Sequence, residues 1–139
     1  MKLAPYSALT LSLAGLILVG MGLYFIFLRP PLLPEDLRYM GIPAQKSDAI
    51  FSGLLNWLQK VFMVMGSYIF TAGLLTIYIS RTSFLLRSPG SFAIVALAGL
   101  SSIVAMTTIN FIIGSEFKWL ILSFNFPWAI ALILYKLHK

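Results

Sequence analysis

Four stretches of roughly twenty apolar residues, none containing a charged side chain, dominate this chain and leave it few ways to fold. They run over residues 9–28, 61–80, 92–113 and 119–135. A helix rises ~1.5 Å per residue, so about 20 such residues cross a ~30 Å hydrocarbon layer. The expected class is therefore all-α: an integral membrane bundle of four transmembrane helices, residues 1–139 forming one membrane domain. Strands are not expected, because a lipid-exposed sheet must close into a barrel with alternating apolar and polar residues, and no alternation occurs.

Composition supports this reading. Apolar residues make up 60% of the 139 and charged ones 10%, whereas a soluble domain carries charge on about a quarter of its residues. The net charge of +6 comes from ten Lys and Arg scattered between the apolar runs, which fits membrane flanks and not a nucleic-acid surface. There is no cysteine, so disulfide and thiol chemistry are excluded. The first apolar run is longer than the ~7–15 residues of a signal-peptide core and meets Arg29-Pro30-Pro31 instead of small residues. It is expected to remain as the first span.

The long connection, residues 29–60, holds two pieces. Pro34 to Gly41 reads as a short helix, with proline at its first position, Glu35 and Asp36 in its first turn and glycine as terminator. A turn at Pro43 follows. From a Ser47 cap onward, Ile50, Phe51, Leu54, Leu55, Leu58, Val61 and Phe62 recur at helical spacing, opposite Asp48, Ser52, Asn56 and Lys60. This amphipathic, interfacial segment either lies flat and bends near Lys60 or continues straight into the second span. The layout, a long loop after the first span and three further spans, resembles the small DoxX-like bacterial membrane proteins; no motif is matched residue by residue, so the resemblance implies an arrangement and no activity.

Basic residues divide evenly between the two sides, five and five, but all four acids (Glu35, Asp36, Asp48, Glu116) fall on the side of the long loop. Both termini are accordingly expected in the cytoplasm of a multi-pass protein of a plasma membrane, of the bacterial inner-membrane type.

Candidate chemistry is sparse. No ionisable residue falls inside a run, and one terminal His138 with four scattered acids offers no metal site, so neither a metal nor another cofactor is expected. Serines and threonines at Ser101, Ser102, Thr107 and Thr108 have no base near them in sequence. Ala98, Ser101, Ser102, Ala105 and Thr108 form a small-residue face on the third span, and Gly66, Ser67 and Gly73 one on the second, both expected to pack helices.

Asn110 and Asn125 are the polar side chains expected at membrane depth, where they bond across helices or line a cavity; Asn125 also compensates for a kink at Pro127. In the first loop Arg29, Glu35, Asp36, Arg38 and Asp48, with Tyr39 and Trp57, are expected either to meet a lipid headgroup or partner protein, or simply to pair with one another. Trp57, Trp119, Trp128, Tyr6, Tyr39 and Tyr135 read as interfacial anchors. Together these point to a protein without evident catalytic chemistry, acting by association as a self-assembling bundle or an accessory subunit of a membrane complex. The alternative is a binder or carrier of lipid or another hydrophobic small molecule, at the Asn125–Pro127 region and the first loop.

Overall fold

The computed structural model describes residues 4–41 and 49–137, the side chains of 49–51 excepted. Seven helices follow in order: α1 (Ala4–Phe27), α2 (Pro34–Tyr39), α3 (Ala49–Ile79), α4 (Ser91–Gly99), α5 (Ala105–Ile112), α6 (Lys118–Ser123) and α7 (Asn125–Leu137). A π-helical turn, Ser80–Phe84, continues α3, and another, Leu100–Val104, joins α4 to α5. Four continuous helical stretches, Ala4–Phe27, Ser52–Phe84, Ser91–Ile112 and Lys118–Leu137, are long and apolar enough to cross a membrane. No strand occurs among the described residues.

The sequence left open whether the helix bends near Lys60. It does not: α3 is one helix of 31 residues, because nothing between Ala49 and Ile79 interrupts the backbone hydrogen bonding and the amphipathic stripe merges into the apolar run. The expected turn at Pro43 and cap at Ser47 lie outside the described residues.

α1 is the hub, packing along α3 and against α7, while α4 lies on α7. What lets α1 and α3 approach is glycine at seven-residue spacing on both, Gly15 and Gly22 facing Gly73 and Gly66 in antiparallel order. A Cβ on Gly73 would lie 2.8 Å from the Gly15 carbonyl oxygen and one on Gly66 2.8 Å from that of Gly22. In lipid no hydrophobic force pulls helices together, so close van der Waals contact of this kind is what holds them. Gly66 and Gly73 thus pack as expected; Ser67, expected with them, is exposed and bonds back to the Met63 carbonyl.

The third stretch corrects the sequence reading. Its buried positions are Ser91, Val95, Gly99, Ile103 and Thr107, whereas Ala98, Ser101, Ala105 and Thr108 are exposed and Ser102 is half-buried. Four-residue steps drift about 40° per step around an ideal α-helix, and the wider turn at Leu100–Val104 takes up part of that drift, keeping the chosen face on the fourth stretch.

Candidate functional site

At the end carrying the long loop, prolines 30 and 31 stop α1 at Phe27 and set Arg29 back across the helix end. Its guanidinium sits 3.5 Å from the centre of the Phe62 ring and 5.4 Å from that of Phe25. Nη2 donates to Asp36 Oδ2 at 3.2 Å, and Nη1 to the Pro30 carbonyl. Asp36 Oδ2 also accepts the Leu33 backbone N–H at 2.9 Å, closing the start of α2. Gly41, at φ +68°, ends this segment, a conformation that glycine adopts without steric cost.

Glu35, one residue away, turns inward. Only 2% exposed, it accepts a hydrogen bond from Ser115 Oγ at 3.1 Å, and Ser115 Oγ in turn accepts the Phe117 N–H. Arg38, exposed, donates to the Gly114 carbonyl at 3.4 Å. α2 is therefore clasped to the turn between the third and fourth stretches. Of the five charges expected to form one cluster, Arg29 and Asp36 make one pair, Glu35 and Arg38 hold a different loop, and Asp48 lies outside the described residues. Tyr39 and Trp57 are exposed.

Inside the bundle, Asn125 opens α7 at a break in the fourth stretch: α6 ends at Ser123, and Pro127 has no N–H to return to that turn. Asn125 Nδ2 donates to Thr107 Oγ1 at 2.7 Å and lies 3.1 Å from the Leu122 carbonyl and 3.3 Å from that of Ile121. The side chain thus serves both expectations, bonding across to α5 and covering carbonyls freed at the break. Its Oδ1 is buried without a partner. Asn110 does neither, its amide bonding back to the Met106 carbonyl four residues earlier. Asn125→Leu should lower thermal stability in detergent by about 0.6–2 kcal/mol, with coupling to Thr107→Val in a double-mutant cycle. A stabilised Asn125→Leu protein would show that the orphaned Oδ1 outweighs the bonds of Nδ2.

Trp128, read from sequence as an anchor, is buried in the bundle instead, and Tyr135 is half-buried among aromatic neighbours. Trp128 is 5% exposed, its Nε1 donating to the Val95 carbonyl at 2.9 Å while its ring lies on Gly99. Tyr135 lies against Phe84 with centroids 4.5 Å apart and against Phe92 at 5.6 Å. An apolar helix can place an aromatic at any depth, and sequence position alone does not separate a girdle from a core.

The opposite end of the bundle was not singled out from sequence beyond its lack of acids. Here Ser12 and Ser80 share a 2.6 Å hydrogen bond, and Arg81 Nε donates to Ser12 Oγ at 3.0 Å. Arg87, at φ +56°, lies 4.2 Å over the Tyr135 ring and donates from Nη2 to the Tyr135 carbonyl; its Nη1 is buried and unpartnered. Ser91 Oγ and Tyr135 Oη are 3.0 Å apart, and Lys136 Nζ lies 4.8 Å from the Phe92 centroid. Beside Lys136 runs a shallow apolar groove of about 310 Å³ lined by Phe92, Leu132, Ile133 and Leu137.

At the long-loop end Ser115 Oγ donates to the Glu35 carboxylate, a hydroxyl beside a base, but both are buried and Ser115 Oγ also accepts the Phe117 N–H; among the described residues no three His, Asp or Glu side chains gather where one metal ion could be held. Comparison with known proteins adds no assignment to this geometry: no family model, no curated protein and no solved structure matches the chain.

Proposed function

We propose that the four apolar stretches are the transmembrane spans of a multi-pass plasma-membrane protein, with the Arg81–Arg87 end and both termini in the cytoplasm, and that it acts by association. It is either a self-assembling bundle or an accessory subunit of a larger membrane complex. The observation that carries this reading is the outward position of Ala98, Ser101, Ala105 and Thr108. Small residues let helix backbones approach closely in lipid, and inside this bundle that use is already met by the glycines of α1 and α3. A second small-residue stripe on the lipid-facing side fits a helix from outside the chain. Its hydroxyls are satisfied locally, Ser101 by the Leu97 carbonyl and Thr108 by that of Val104, so a partner helix meets no desolvation penalty there.

Lipid binding at Asn125 and the first loop has less support. The Asn125 amide is engaged by Thr107 and Leu122, and Arg29, Glu35 and Asp36 are engaged within the protein.

Because the chain has no cysteine, a single Ser101→Cys variant gives a clean probe. Mild oxidation in native membranes should trap Ser101→Cys in a covalent dimer or a larger adduct, while Leu16→Cys, exposed on α1, should not be trapped. Ala105→Leu should abolish the adduct by filling the stripe. A protein that stays monomeric by native mass spectrometry and at both cysteine positions would sink the association reading.

A further inference from the structure

The Arg81–Arg87 end carries basic side chains and no Asp or Glu among the described residues. All four acids of the chain lie in segments 29–60 and 114–118, and the ion pair formed among the described residues, Arg29–Asp36, belongs to that other end. Arg81, Arg87 and Lys136 therefore share a bundle end at which no Asp or Glu side chain lies among the described residues. Each of the three has a contact within the bundle: exposed Arg81 through Nε to Ser12, half-buried Arg87 over the Tyr135 ring, and exposed Lys136 4.8 Å from the Phe92 centroid.

The Tyr135 and Phe92 rings lie against each other at a tilt of 38°, with the Arg87 guanidinium over the first and the Lys136 ammonium over the second. Two cations thus flank one aromatic pair. Mutual repulsion between them is relieved by an anion, and cations fixed beforehand lose little entropy on meeting it. Lys136 itself lines the shallow surface groove formed with Phe92, Leu132, Ile133 and Leu137, whose other walls are apolar. A ligand that fits both features carries a negative headgroup joined to a hydrocarbon chain.

We propose that this groove between α4 and α7 seats an acyl chain of an anionic phospholipid whose phosphate is held at Lys136 and drawn there by the charge of Arg87. The proposal rests on the transmembrane reading of the spans and is independent of self-assembly. A zwitterionic lipid fits less well, since its ammonium or choline brings a further positive charge to an end that already carries Arg81, Arg87 and Lys136. Anionic lipid held at a basic juxtamembrane surface follows the general electrostatics of such interfaces, and the groove adds a place for the chain.

The test is native mass spectrometry of the full chain taken from nanodiscs of equal parts phosphatidylglycerol and phosphatidylcholine into mild detergent. Wild-type protein should keep phosphatidylglycerol adducts in preference to phosphatidylcholine by about tenfold, the ratio that 1.4 kcal/mol of differential binding gives. Lys136→Glu should bring the ratio close to one, as should Leu132→Trp, which fills the groove without touching charge. Lys118→Glu, at the other end, should leave it unchanged. Lys136 is exposed, so its charge reversal does not threaten the fold, and a circular dichroism melt on each variant confirms that. Equal retention of both lipids by wild type, or an unchanged ratio in Lys136→Glu, overturns the proposal. So does thermal stabilisation by inorganic phosphate equal to that by phosphatidylglycerol, since the groove would then contribute nothing. Adducts are read on whatever oligomer is present, which keeps this result separate from the question of association.

Discussion

Gly22→Val should leave little folded protein, whereas Gly20→Val, two residues along the same helix, should be close to neutral. A Cβ on Gly22 would fall 2.7 Å from the Phe70 Cα, a backbone atom that cannot swing aside, while one on Gly20 meets nothing within 4 Å. Overpacking a well-filled core costs about 1–3 kcal/mol when side chains can yield, and more where backbone must move. Here α1 must lift from α3 along the line that also joins Gly15 to Gly73, so the loss spreads over the whole contact. The measurement is the melting temperature and monodisperse yield in detergent of the two valine variants side by side. Equal behaviour of the pair would mean that α1 and α3 do not meet through this seam.

Trp128→Ala should cost nearly as much, about 3–5 kcal/mol, the usual range for removing a buried large aromatic. The indole fills the space between α4 and α7, and its Nε1–H is the partner of the Val95 carbonyl. Trp128→Phe keeps most of the volume but leaves that carbonyl without this donor, at about 1–3 kcal/mol. Gly99→Ala attacks the same contact from the other side, since its new methyl would lie 2.7 Å from Trp128 Cδ1. The three variants should therefore rank Trp128→Ala and Gly99→Ala below Trp128→Phe in thermal stability. If Trp128→Ala melted like wild type, the residue would be the surface anchor that its chemistry first suggested.

That last contrast shows where the sequence stopped being readable. The four long helices were legible because their signal is one of length and apolarity, with no need for orientation. α2 was equally plain, since Pro34, Asp36 and Gly41 are local devices acting within one or two turns. Faces were harder. On a helix apolar all round, no polar side marks the outside, so the small residues at 98, 101, 102, 105 and 108 seemed as good a packing face as the one at 91, 95, 99, 103 and 107 that is buried. The π-helical turn that steers the choice leaves no recognisable residue pattern. Gly15 and Gly22 could have been found by noticing the same seven-residue spacing as Gly66 and Gly73.

Among the candidate site residues, Arg29 with Asp36 and Asn125 with Thr107 use partners that sequence made reasonable. The burial of Glu35 was not legible, because it depends on Ser115, 80 positions away, and an acid in a loop is ordinarily solvated. The Lys136 groove depends likewise on α4 meeting α7.

The unbroken run of α3 also fixes a distance. α1 stops at Phe27, and Arg29 over Phe62 marks the level at which it does so. From Val61 back to Ser52 the same helix continues, mostly exposed, for about 14 Å at 1.5 Å per residue. An α-helix of that length behaves as a stiff strut, not as a tether. Whatever binds that stretch therefore meets a helix continuous with the glycine seam, not slack chain.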